Sequence, residues 1–214
     1  MQKNNLTTLI LLVLLFGCIQ TDQKTTSVTE EKTSISTVDK EQIQVLIRQV
    51  LNWAEGKNSI DLLPVLADSK NIVYIGFDLK KHKQNLDKLK QTNFFATEFI
   101  DNYKQIILTL NKGLKNGNYD QWLVGNLPTF IFANDVSPWT MCQDVPYDQP
   151  NPFDFIEINT ISLEKNNAEA NWHWGNLEQN ADKSWKDFSY KFKVVKENNK
   201  WKIAYLTGFD FKRA

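Results

Sequence analysis

His173, Cys142 and a run of acidic side chains between residues 115 and 165 are the groups in this 214-residue chain best equipped to act on another molecule. An imidazole beside a carboxylate or hydroxyl moves protons near neutral pH. Glu157, Glu169 and Ser189 are the neighbours that strand pairing can bring to His173. Cys142 needs a nearby base to lower its pKa before it can act as a nucleophile, and no histidine stands close to it in the sequence. The acidic run is the broader signal. Asp120, Asp135, Asp144, Asp148, Asp154, Glu157 and Glu164 lie between Lys115 and Lys165 with no Lys or Arg among them, and five of the six prolines lie there too. Residues 137–152 therefore read as a rigid, acidic, aromatic loop. Trp139, Gln143, Asp144, Tyr147 and Asp148 in this loop, with His173, are the predicted binding residues. A cationic partner would be steered to them by charge and anchored by the rings.

Other chemistries find no support. There is no phosphate-binding glycine loop, no G-x-S-x-G, no H-E-x-x-H and no C-x-x-C. His82 and His173 are the only histidines, and His82, set among lysines, is expected at the surface. Asp144, Asp148 and Asp154 are candidate calcium ligands, but their spacing matches no known calcium loop; neither a metal nor a cofactor is expected. With 25 basic and 25 acidic residues the chain makes no electrostatic case for nucleic acid.

Address is written at the N-terminus. Lys3 precedes an apolar stretch from Leu6 that closes on Leu15, Phe16, Gly17 and Cys18. This is the layout of a cleaved export signal, too short for the roughly 20 residues of a membrane helix. Its end resembles a bacterial lipobox, which implies cleavage after residue 17 and a lipid on Cys18; Phe16 is bulkier than is usual there. Ile19 and Gln20 lack the Asp that often retains such proteins at the inner membrane, so the expected place is the outer membrane with the domain in the periplasm. Residues 19–38 carry nine Ser or Thr and no aromatic residue, too little apolar surface to offset the cost of ordering. The expected organisation is a signal over 1–17, a tether over 18–38 and one domain over 39–214. Lipidation of Cys18 would leave Cys142 as the sole thiol, so stability must come from packing rather than a disulfide.

Two amphipathic helices open that domain. Asp39 and Gln42 have capping-box spacing, and Ile43, Leu46, Ile47, Val50 and Leu51 recur at helical intervals before Gly56. A short apolar turn or helix is expected around Pro64 and a β-rich run over 72–77. The second helix is expected from Thr92 or Asn93 to Gly117, because Phe95, Phe99, Tyr103, Ile106, Leu110 and Leu114 trace one stripe. From Phe153 the period becomes two, and four strands are expected: 153–163, 168–174, 186–196 and one after Asn199. In the last, Trp201, Ile203, Tyr205, Thr207 and Phe209 alternate. Asn166 with Asn167, and Asn198 with Asn199, mark tight turns. The fold class that follows is α+β, N-terminal helices packed on a curved antiparallel sheet whose aromatic face they cover.

Helices first, then a meander ending in KVVKENNKWKIAYLTGFD, with Gln143, Asp144 and Pro146 forming a QD-x-P loop: in these features the chain resembles the nuclear transport factor 2-like superfold over about residues 40–212. It is most similar to exported bacterial lipoprotein domains of unknown function in that group. The resemblance implies a cone-like sheet wrapped around helices with an interior pocket, in which the lysine-rich segment 80–91 is an insertion. Members of the group include enzymes, binders and scaffolds, so the resemblance carries no activity, and no enzyme motif is matched.

The functional expectation is a lipid-anchored, non-enzymatic module that binds a protein or small ligand. One concrete form is an envelope immunity protein that neutralises a rival's toxin. The alternative is an enzyme with a proton-transfer site in the cone interior, built from His173 and an acidic neighbour.

Overall fold

The computed structural model describes residues 36–146 and 151–213, which fall within one compact unit, Thr33–Ala214. Cys18, the predicted signal and the tether before Ser36 lie outside the described residues, as do Tyr147 and Asp148.

The apolar spacing of the first helix is realised in α1 (Thr37–Glu55), whose buried face is Ile43, Leu46, Ile47, Val50, Leu51 and Ala54. Ser36, not Asp39, stands at its N-terminus, so the helix starts two residues before the expected domain start at 39. Asp39 lies inside the first turn, where its carboxylate accepts from Lys196 Nζ and Trp201 Nε1, each at 2.7 Å. These donors hold its pKa below the ordinary carboxylate range. The capping role is lost because an ammonium and an indole N–H from the last hairpin replace the backbone amides as partners.

Residues near Pro64 form a strand rather than a helix: β1 (Val65–Ala67) pairs antiparallel with β2 (Tyr74–Phe77). The lysine-rich segment is a helix, α2 (Leu79–Thr92), with Asp78 accepting from Lys80 N at 2.9 Å and Lys81 N at 3.0 Å. His82, Leu86 and Leu89, four and three residues apart, form its inner stripe, and His82 is 3% exposed. The surface expectation for His82 fails because helical phase, not the charge of its sequence neighbours, sets which way a side chain points.

Asn93 ends α2 in the left-handed region at φ 58°, and α3 (Thr97–Lys115) starts only after residues 94–96 have run extended along the sheet. Ala96 N donates to Ile203 O and Ile203 N donates to Phe94 O, both at 2.8 Å. Phe95 is therefore on this strap and not on the helix, yet its ring still stacks on Phe99 at 4.7 Å. From Phe99 to Leu110 the predicted stripe is the buried face of α3.

The meander is β3 (Ile156–Leu163), β4 (Asn167–Trp174), β5 (Tyr190–Glu197) and β6 (Lys200–Leu206), antiparallel and in that spatial order. Its first and third strands begin later than the alternation suggested. Residues Pro152–Phe155 turn as a 3₁₀ helix, and Lys183–Lys186 form a short helix, α4, with Asp182 accepting from Ser184 N at 2.7 Å. Asn198 and Asn199 take φ 51° and 61°, the pair of left-handed residues that a two-residue hairpin turn requires. Asn166 and Asn167 are not left-handed; that turn closes through Glu164 N on Asn167 O at 2.7 Å.

In β4, Ala168, Ala170, Trp172 and Trp174 are buried while Glu169, Asn171 and His173 face outward. In β6 the alternation breaks. Val194 pairs with Ile203 but Lys193 with Tyr205, so Ala204 is an extra residue, and it and Leu206 go inward. Tyr205 turns out towards the Lys193 ammonium, 5.9 Å from its ring centre.

α1 and α3 both pack against β6, and their apolar faces share one core with the inner face of the sheet. Each edge strand of the sheet is engaged over part of its length. Gln44 Nε2 and Arg48, one turn apart on α1, donate to the β3 carbonyls of Ile158 (3.1 Å) and Ile156 (3.0 Å), while the 94–96 strap occupies β6. The observed class is α+β. No helix among the described residues is long and apolar enough to cross a membrane.

Candidate binding site

The long connection between α3 and β3 is held by aromatic plugs at irregular spacing. Phe130, Phe132, Trp139 and Phe153 are all buried. Trp139 is 3% exposed, with its ring 4.5 Å from Phe209, 5.5 Å from Trp53 and 5.7 Å from Phe95. It is a core residue, not an exposed binding ring. A lone aromatic in a loop has no periodicity to reveal its direction, and this one fills the space between α1, α3 and the chain after β6.

The segment before Trp139 is pinned too. Tyr190 Oη donates to Pro138 O at 2.7 Å and accepts from Gly208 N at 3.1 Å. Gly208 is required at this contact, because a Cβ there would overlap the Pro138 carbonyl.

So anchored, the loop and the C-terminal end of α1 enclose an open cleft of about 700 Å³. Asn52, Glu55 and Gly56 form one wall; Asp135, Cys142, Gln143 and Asp144 form the other, with Phe153 below. Gln143 and Asp144 are thus brought together with Asp135 of the same acidic run and with Glu55 of α1, which no sequence pattern joins to them. Among the described lining residues there is no Lys, Arg or His. Glu55 remains solvent-accessible, but the cleft walls strip enough water from its carboxyl to raise its pKa. Its sequence did hold a signal: α1 carries no basic residue in its last turn, and an acid there opposes the helix dipole, so Glu55 does not serve the helix.

Comparison of the chain with protein-family models, with curated proteins and with solved structures finds no match. The chemistry of the site must therefore be read from its own groups.

Cys142 donates to Thr140 O at 3.4 Å. Burial, reinforced by the negative charge of Glu55, pushes its thiol up to about 12. Only about one thiol in ten thousand is then ionised at pH 8, so it is a poor nucleophile. In a Cys18→Ser chain, where Cys142 is the sole thiol, reaction with a disulfide reagent at pH 8 should run at least about a hundredfold slower than in urea-unfolded chain. Equal rates would show the thiol to be open to solvent.

His173 does not line this cleft. In the β3–β4 register it sits opposite Glu157, with Nε2 to Oε2 at 3.1 Å, on the outer face of the sheet. The pleat that buries Trp172 and Trp174 turns His173 away from them, so an interior proton-transfer site built on it is not formed. Its two other foreseen neighbours are engaged elsewhere: Glu169 pairs with Lys191 at 2.7 Å, and Ser189 accepts from Asn171 at 3.0 Å. Among the described residues no three His, Cys, Asp or Glu side chains converge as a metal site would need. Tyr147 and Asp148, and with Asp148 the calcium question, lie outside the described residues.

Proposed function

We propose that this chain is a lipid-anchored binding module of the bacterial cell envelope that captures a cationic partner, a protein or small ligand, in the acidic cleft. The observation that carries this reading is the gathering of Glu55, Asp135 and Asp144 around one concavity whose described lining offers no cation. Like charges lining a low-dielectric recess focus the field, raise the on-rate for a partner of opposite sign and repel partners of the same sign. A protonated thiol at Cys142 and an outward imidazole at His173 favour binding over catalysis. A toxin-neutralising immunity protein is the concrete form of this reading, since acidic recognition surfaces suit basic toxins.

Lipid on Cys18, with the following residues as tether, would hold the domain at the periplasmic face of the outer membrane. Two amphipathic helices laid on a four-stranded meander support the nuclear transport factor 2-like reading, in which the sheet would curve around them as a cone. The anchor has its own test, in which Cys18→Ser should abolish signal cleavage and membrane fractionation, and unchanged processing would refute it.

For the cleft, a lysine-rich peptide bearing one tryptophan serves as probe. Glu55→Lys combined with Asp144→Lys should weaken its binding at least about tenfold and flatten the dependence on salt. The unfolding free energy should change by no more than about 0.5 kcal/mol, because both side chains are solvent-accessible. Equal affinity of parent and variant would remove the cleft from consideration.

A further inference from the structure

A second concavity, of about 350 Å³, opens between α2 and α3 and has a different character. Leu86, Ile100 and Leu108 supply apolar walls, and Lys83, Lys90 and Lys104 stand around them. Lys81, on the same helix, is engaged with Asp61 at 2.6 Å, whereas no ion pair is formed by Lys83, Lys90 or Lys104 among the described residues. Asp87 and Asp101 also line the opening, which leaves its formal charge at one positive unit.

The decisive group is His82, which lines this cleft, is 3% exposed, and has no hydrogen-bond partner at either ring nitrogen. A neutral imidazole has one N–H and one lone pair, and leaving both unmet away from water is costly. The polar groups beside it have other partners. The Tyr103 ring stands edge-on at 5.2 Å with its hydroxyl donating to Leu62 O at 3.0 Å, and the Asn85 amide donates to Asp61 O at 2.6 Å. Buried polar groups in native proteins are nearly always satisfied, so an exception calls for an explanation, of which a bound group is one.

We propose that the α2–α3 cleft binds a small amphiphilic monocarboxylate, whose head group accepts the His82 N–H among the three lysines and whose apolar body covers Leu86, Ile100 and Leu108. The volume suits a small ligand, the walls supply apolar area, and a few convergent polar groups set orientation. One net positive charge at the opening matches one carboxylate rather than a phosphate monoester, which carries nearly two negative charges at neutral pH. The site is separate from the acidic cleft and stands or falls without it.

The test is a titration of the full chain with decanoate below its micelle concentration, following the ring resonances of His82 and His173 by nitrogen-detected NMR. The expected result is a saturable shift of His82 with His173 unmoved. Lys83→Glu with Lys104→Glu, both at the surface, should weaken binding at least about tenfold, and Leu86→Trp should abolish it by filling the space. Decanol should bind at least about tenfold more weakly than decanoate, and inorganic phosphate should leave His82 unshifted. A non-saturating shift, equal movement of both histidines, equal binding of decanol, saturation by phosphate alone, or undiminished binding in the lysine variant would each overturn the proposal.

Discussion

Replacing Trp139 with alanine should lower the unfolding free energy by about 4 kcal/mol, within the range for truncating a large buried aromatic side chain. The residue is 3% exposed, and Trp53, Phe95, Phe99 and Phe209 each come within ring-contact distance of it. Those rings come from α1, the strap, α3 and the chain after β6, so no local shift can refill the void. The loss is therefore a transfer term plus a lasting cavity. Urea unfolding followed by fluorescence and circular dichroism measures it. Asp144→Ala, a few residues along the same loop, should change the unfolding free energy by no more than about 0.5 kcal/mol. A cost below about 1 kcal/mol for Trp139→Ala would place the indole at the surface and return it to the binding residues.

The second large effect is on pH dependence. Burial, aided by the Lys104 charge, lowers the His82 pKa from 6.5 to about 4. In the unfolded chain the same imidazole takes up its proton near its ordinary value. Between those two values the unfolded state thus binds more protons, and stability present above pH 6.5 is lost as the pH falls towards 4. The contribution is about 3 kcal/mol. Glu55 works in the opposite sense, because its raised pKa lets the folded state take a proton first. Asp39 adds to the acid loss, but only as the pH falls through and below the ordinary carboxylate range. His82→Leu should flatten the curve between pH 4 and 6.5 and stabilise the protein at neutral pH by removing an unsatisfied polar ring. Urea titrations at a series of pH values measure both effects, and an identical pH slope in parent and variant would show that His82 is solvated.

In α1, α3 and β4 the spacing of apolar residues was enough to assign both element and face, whereas in β6 a bulge at Ala204 broke the alternation. The stripes of α1 and α3 and the two-residue alternation of β4 are buried as their spacing requires. The Asn198–Asn199 turn followed from the left-handed tolerance of asparagine. Boundaries were less legible. Asp39 has the sequence of a cap and serves a lysine and an indole more than 150 residues away. The strap at 94–96 looks like helix, but its backbone amides and carbonyls were claimed by the edge of β6. α2 was hidden by its lysines, although His82, Leu86 and Leu89 carry helical spacing within them.

The candidate site was half legible. The acidic loop with Gln143 and Asp144 could be read from composition, because a stretch without cations must present its carboxylates to something. Asp135 belongs to the same acidic run, but Glu55 could not be joined to it from sequence, since their proximity depends on how the loop is plugged by Phe130, Phe132 and Trp139. Those plugs are single side chains with no repeat, so nothing local says whether they point inward. That α1, α3 and the four strands exist, and which faces α1, α3 and β4 bury, follows from periodicity, a property of a few neighbouring residues. Which carboxylates meet in the cleft, why His82 lacks a partner, and that Trp139 is core rather than contact follow from long-range packing, where one side chain's place is set by residues far along the chain.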